Sequence, residues 1–251
     1  MKTRWLKLIF IMLLLGCREE EPRLSFEPAS YTGEQCTECP KVSINIPEAV
    51  GKTKITNTIN IALKEEIIYL LTFDDNVEAT NINEAIASFK NGFLELKDKF
   101  PDETIGWEAK IDGKVVYDEA DILTIKLDSY IFTGGAHGFG ASTFLNFDKQ
   151  KGTELNNEEL FKNTVDFQKF AEIKFREKEG VPKDKSINST GYMFEDELFK
   201  LPETMGFTKD GLQLIYNRYE VASYSDGPVV LTLPYDEVDT YLAVNYREQA
   251  P

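Results

Sequence analysis

Histidine is nearly missing from this chain: His137 is the single one among 251 residues. Any Ser-His-Asp or Cys-His mechanism has to pass through it. Ser129 and Ser142 are near in sequence, but neither sits in a G-x-S-x-G elbow. Cysteine is scarce too. With Cys17, Cys36 and Cys39 as the whole complement, a zinc site would lack two of its ligands. No HxxE-like or DxD-like spacing supports a metal centre around His137, so neither a metal nor a cofactor is expected. Positive charge is in short supply: 28 Lys and Arg face 43 Asp and Glu, a formal net charge of -15. That argues against nucleic acid and anionic membrane surfaces as partners, and leaves cationic partners or simple solubility. Carboxylate pairs such as Asp74-Asp75 and Glu158-Glu159 read as solvated faces, since a glycosidase pair needs one buried member. No apolar run approaches the roughly 20 residues of a membrane-spanning helix.

What is present begins with an address. Lys2, Arg4 and Lys7 precede the apolar run Leu8–Leu15, the pattern of a secretory signal. Leu14-Leu15-Gly16-Cys17 resembles a bacterial lipobox, in which the cysteine is lipidated and becomes the mature N-terminus. Ordinary secretion with a free Cys17 is the alternative. The acidic run in Arg18-Glu19-Glu20-Glu21 resembles the surface-export signal of Bacteroidetes-type lipoproteins, or simply keeps a tether solvated. The expected location is extracytoplasmic, anchored by lipid to the outer membrane and candidate for surface exposure. In that compartment Cys36-Thr37-Glu38-Cys39 is expected to close a local disulfide. A thioredoxin-like motif would open a helix, whereas here Pro40 and the strand-like Val42–Ile46 follow.

Residues 1–16 therefore read as a signal peptide and 17–40 as a tether, with an N-terminal module at 41–152 and a C-terminal module at 153–251. Ile55, Ile59, Ala62, Leu63, Ile67, Leu70 and Leu71 recur at helical spacing. Asn81 with Glu84 marks a second helix start, and Ile82, Ile86, Phe89, Phe93, Leu96 and Phe100 line its face before Pro101. The period then drops to two. Ile105, Trp107, Ala109 and Ile111 alternate, Asp112-Gly113 reads as a hairpin turn, and Val115–Tyr117 returns. Leu123, Ile125, Leu127 and Ile131 share one face of a long strand, and Ala141, Thr143, Leu145 and Phe147 share another. Asn156 and Glu159 start a third helix carrying Phe167, Phe170, Ala171 and Phe175, with a break near Asn163 and an end at Gly180 and Pro182. A polar loop, a short helix over 194–201, strands at 212–216 and 229–233, and a last short helix over 235–242 complete the pattern. The class is α+β, with antiparallel sheets packed against helices. Two halves of similar helix-then-strand order form one compact body, because no Pro/Gly/Ser-rich linker separates Asp148 from Asn156.

The most constrained stretch is Tyr130–Gly140, which contains Gly134, Gly135, Gly138 and His137 between two strands. Glycines there permit positive φ and close backbone approach. The segment lacks the Lys-Ser/Thr of a phosphate loop and leads into a strand, so it does not read as one. It reads as a structural turn first, an edge of a binding surface second and a catalytic site last.

Tyr130-Ile-Phe-Thr-Gly-Gly-Ala-His-Gly138 with Asn146-Phe-Asp148 resembles the hallmark of a family of paired extracytoplasmic domains of unknown function. These form the outer part of RsiV-type anti-sigma factors, which bind lysozyme, and are also attached to peptidoglycan deacetylases. Further matches are Phe207–Leu212, Tyr216–Ala222, Tyr224–Gly227 and Leu233–Val238, so the likeness runs from about Val42 to Leu242. The resemblance implies an α+β domain pair and a binding module rather than an enzyme. Its candidate partners are a cationic lysozyme-like protein or peptidoglycan, with Tyr130, Thr133, Gly134, Gly135, His137, Gly138, Tyr224, Asp226 and Gly227 near the site. A lipid-anchor signal stands where the anti-sigma factors have a membrane helix and sigma-binding segment, so direct signalling to a sigma factor is not expected. The alternatives are a weak or accessory cell-wall hydrolase or deacetylase partner centred on His137, and a purely structural envelope lipoprotein.

Overall fold

A computed structural model describes residues 24–34, 36, 39–73, 78–102 and 105–247. The signal, Cys17, the acidic run and the pair Asp74-Asp75 lie outside the described residues. Strands β1 (Ser25–Thr32), β2 (Lys41–Val50), β3 (Glu108–Glu119), β4 (Ile122–Phe132), β5 (Phe139–Asp148) and β6 (Thr153–Leu155) form one sheet in that order. All its pairs are antiparallel except β2–β3, which is parallel because two helices intervene. These are α1 (Lys54–Leu71) and α2 (Ile82–Lys99). Strands β7 (Thr204–Thr208), β8 (Gly211–Tyr216) and β9 (Val229–Leu233) make a second, antiparallel sheet, covered by α3 (Thr164–Glu179). A single helical turn, α4 (Tyr235–Val238), follows β9. The α+β class therefore holds, with sheets packed against four helices.

The helices start where their caps sit. The Asn81 side chain accepts from the Glu84 amide, while the Glu84 carboxylate turns back to the amide and hydroxyl of Thr80. Asn156 does close a capping box with Glu159, but on a 3-10 turn, Asn157–Leu160; α3 starts after a second cap, Asn163. Gly180, at φ 68°, ends α3 in the left-handed conformation that glycine tolerates best.

Two apolar cores result. In the first, Ile59, Leu63, Ile67 and Leu71 of α1 and Ile86, Phe89 and Phe93 of α2 lie on Ile44, Ile111, Leu123, Ile125, Leu127 and Phe147 of the large sheet. In the second, Phe175 of α3 sits among the rings of Tyr192, Phe194, Phe199 and Tyr216. Tyr117 and Ile122 of the large sheet belong to this second core. The join is made by β7, which lies against β5, β4 and β3. There Phe144 fills the space above Gly206, where a Cβ would stand 2.4 Å from its ring. Asn146, fully paired, links the sheets by accepting from Thr124 Oγ1 and donating to the Met205 carbonyl, both at 2.8 Å.

The structure corrects several expectations. The stretch 17–40 is not tether throughout: residues 25–32 form β1, an edge strand with Phe26, Ala29 and Tyr31 half-buried. Pro28 lies opposite Pro47, a pairing open only to a position that exchanges no ladder bonds. Cys36 and Cys39 are joined by a disulfide just before β2. Asp112-Gly113 makes no turn. The strand β3 runs through it, and the reversal comes at Ala120 (φ 43°) and Asp121. Gly113 is instead needed for space, since a Cβ there would lie 2.7 Å from Leu127. Residues 194–201 are extended apart from one 3-10 turn, Glu195–Glu197, because Phe194 and Phe199 both turn inward onto Phe175. The last helix stops at Val238, not 242. Strand β7 has no counterpart in the sequence reading. Ile105 lies before β3 and is exposed.

Candidate functional site

The turn joining β4 to β5 spans residues 133–138. Gly134 and Gly135 take φ of 104° and 85°, conformations costly for any other residue, and a side chain on either would meet nothing within 4 Å. Their role is conformational. Gly138 is different: it is buried, and a Cβ on it would stand 2.5 Å from the Tyr130 ring. Tyr130 therefore packs over the backbone of the turn it precedes. Thr133 is half-buried at the start of the same turn.

A second segment meets this turn from the far half of the chain. Asn217 holds the outer edge of β5: its Oδ1 accepts from the Ser142 amide at 2.8 Å, and its Nδ2 donates to the Ser142 carbonyl at 3.0 Å. The following turn closes on Glu220, whose carboxylate accepts from the Asn217 amide. Arg218 and Tyr219 lie within it, and Tyr219 has φ of 69°, a left-handed value that costs a non-glycine residue on the order of 1 kcal/mol. The 3-10 turn Tyr224–Asp226 then places the Tyr224 ring flat on His137, with centroids 3.6 Å apart and planes at 18°. The Tyr224 hydroxyl donates to the Gly138 carbonyl at 2.8 Å. Tyr219 lies 5.5 Å from Tyr224, and its hydroxyl is 3.4 Å from His137 Nε2. The Arg218 guanidinium rests 5.2 Å from the Tyr224 ring centre. Tyr219 is 57% exposed and Tyr130 39%, so an aromatic face opens to solvent here.

Of the residues expected near a site, Tyr130, His137, Gly138 and Tyr224 come together, with Thr133, Gly134 and Gly135 in the same turn. Asp226 is committed elsewhere: its carboxylate accepts from the Ser223 amide and hydroxyl, and it borders a cleft of about 580 Å3 with Lys178, Glu179 and Tyr192. In that cleft Tyr192 donates to Glu179, and burial together with this bond pushes the phenol well above its usual range. Gly227, at φ 76°, ends the Tyr224 turn. Arg218 and Tyr219 were not singled out from the sequence. The available signal was Asn217-x-x-Glu220, a self-closing turn beside Tyr224.

Neither serine near the turn points to His137. Ser129 donates to the Ala141 carbonyl and Ser142 to Asp128. His137 Nδ1 lies 3.2 Å from the Gly138 carbonyl. Among the described residues no cluster of three His, Cys, Asp or Glu side chains could hold a metal ion. No helix among them is long and apolar enough to cross a membrane.

Fold and turn together define a paired α+β architecture in which a glycine-rich hairpin of the first half is capped by a loop of the second. Residues 34–140 match the family model described as Deacetylase PdaC. Residues 155–236 match that of a protein of unknown function, DUF3298. Similar solved structures include a DUF3298 family protein from Pseudomonas aeruginosa PAO1, with 20% identity and TM-score 0.65, covering 90% of this chain and 97% of that one. Another is a DUF3298 member from Bacteroides fragilis, with 20% identity and TM-score 0.67, covering 89% and 95%. These likenesses extend over both halves of the chain and establish the fold. No curated protein matches the chain.

Proposed function

We propose that this chain is a cell-envelope binding module, anchored through a lipid on Cys17, that takes a cell-wall glycan on the aromatic face around His137. The observation behind this reading is the exposed stack of His137 on Tyr224 with Tyr219 beside it, brought together from two halves of the chain at the cost of a left-handed Tyr219. Sugar rings present flat C–H faces rimmed by hydroxyls, and such faces match aromatic rings bordered by a few hydrogen-bonding groups. Bases would stack as well, but a net charge of -15 repels a phosphate backbone. The match to a deacetylase family model in the first half supports a cell-wall setting.

The test is calorimetric titration of the mature protein with soluble peptidoglycan glycan fragments. Tyr219→Ala is expected to weaken binding at least about tenfold, the usual scale for one lost aromatic contact, without lowering the unfolding midpoint. Absence of binding by the wild type would end the reading. Turnover of the same fragments is expected to stay at background in both the wild type and His137→Ala.

The acidity of the chain favours a second partner, a cationic lysozyme-like hydrolase. That association would tighten as salt is lowered, through reduced screening. A low-salt titration showing none would remove it.

A further inference from the structure

Three arginines are described, and two have their charge answered. Arg176 pairs with Glu172 and donates to the carbonyls of Pro182 and Lys185, and Arg247 pairs with Asp239. Arg218 has neither an ion pair nor a hydrogen bond among the described residues, in a chain where acids outnumber bases 43 to 28. Its Nε is buried without a partner. A buried guanidinium donor left unpaired costs free energy that a surface carboxylate could easily have relieved.

The surroundings keep this charge in place and open. The guanidinium lies over the Tyr224 ring, a contact that leaves its edge donors free for a planar anion. Nη1 sits where a Cβ on residue 140 would be 3.4 Å away, so Gly140 leaves the approach clear. Ser142 turns its amide and carbonyl outward to Asn217, away from β4. Two residues earlier on the same strand, Gly140 turns its own amide to that outer edge. Among the described residues, no partner from outside the sheet meets it there. An unanswered arginine and a free strand-edge amide thus adjoin the aromatic stack.

We propose that Arg218 is a carboxylate receptor, and that the ligand of the aromatic face is an acidic saccharide whose sugar ring lies on the Tyr219–Tyr224–His137 surface while its carboxylate meets Arg218. This deepens the glycan-binding reading and rests on it. A phosphate-bearing chain is the weaker fit, because its repeated charges would face the acidic surface, whereas one carboxylate per sugar pair can be met by one arginine.

The test compares two uncharged-versus-acidic probes of equal length. One is the peptide-free tetrasaccharide of alternating N-acetylglucosamine and N-acetylmuramic acid, which carries lactyl carboxylates. The other is chitotetraose, which has the same backbone without them. The wild type is expected to bind the acidic probe at least about tenfold more tightly, the scale of one charge-assisted hydrogen-bond pair. Methyl esterification of the lactyl groups should bring that affinity down to the chitotetraose level, with no change to the protein. Arg218→Gln should erase the preference, read as the ratio of the two probes' affinities, and Arg218→Lys should keep only part of it. Equal wild-type affinity for the two probes, or a preference that survives esterification or Arg218→Gln, overturns the carboxylate assignment and leaves the glycan site standing. Failure of the wild type to bind either probe overturns both.

Discussion

Asn146, Phe147 and Asp148 are consecutive, yet each serves a different neighbour. Phe147 points into the core beneath α1 and α2, Asn146 points the other way onto β7, and Asp148 accepts from the Lys151 amide in the turn before β6. The amide of Asn146 is buried and spends both ends, one on Thr124 and one on the Met205 carbonyl. Asn146→Ala would leave two buried polar groups unpaired at about 1–3 kcal/mol each. We expect a loss of about 3 kcal/mol in urea unfolding, with little change for an exposed control such as Asn91→Ala on α2. Gly206 makes the companion case. Adding one methyl there drives into the Phe144 ring, so Gly206→Ala is expected to cost about 1–3 kcal/mol, and Phe144→Leu in the same chain should recover part of it. The glycine-histidine stretch and the Asn-Phe-Asp that follows are thus largely explained by packing. Gly138 yields to Tyr130, Asn146 joins the sheets, and His137 with Tyr224 is what remains exposed or half-exposed for a ligand.

Among the elements, the segment Asn217–Glu220 decides whether the aromatic face exists. Asn217 stands in for a missing strand by pairing with both backbone groups of Ser142, and its Nδ2 also reaches Thr204 Oγ1. Asn217→Ala should release the β5 edge, lower stability by about 1–3 kcal/mol and loosen Arg218 and Tyr219 together. Tyr219→Ala should spare stability. A glycan affinity that falls in both variants, with the unfolding midpoint falling only in Asn217→Ala, is the expected pattern. Elements with local signals were legible in the sequence: Asn81 caps its helix and Gly180 ends one, while the start read at Asn156 belongs to a 3-10 turn and α3 begins at Asn163. Elements whose signals are tertiary were not. The β7 stretch Thr204–Thr208 is buried on both faces apart from its last residue, so it shows no alternation. Gly113 imitates a turn while serving Leu127 on the next strand. In the same way, His137 was legible as unusual, but its contact with Tyr219 spans 82 residues that no local pattern connects.

For the molecule as a whole, the acidic surface sets how stability responds to pH. Asp148 is buried, which by itself disfavours its charge. Hydrogen bonds from the Lys151 amide at 2.8 Å and the Lys151 ammonium at 2.9 Å outweigh that and hold its carboxyl below the usual value. Asp128 behaves alike: burial raises it, but Lys126 and Ser142 bring it down overall. A carboxyl whose folded pKa is depressed adds stability that is complete above its unfolded value, about 3.9 for Asp, and is lost as pH falls through the folded value. Self-repulsion in a chain of net charge -15 acts in the opposite sense, since mild acid relieves it. The thermal midpoint should therefore hold or rise slightly from neutral pH down to about 5, then fall steeply below about 4. Asp148→Asn is the diagnostic change. It removes one depressed carboxyl and one negative charge, so its midpoint should be lower than wild type at pH 7 and the gap should close by about pH 2–3. A gap that stays constant across that range would mean that Asp148 contributes through shape and neutral hydrogen bonds alone, and that the acid limb belongs to other carboxylates.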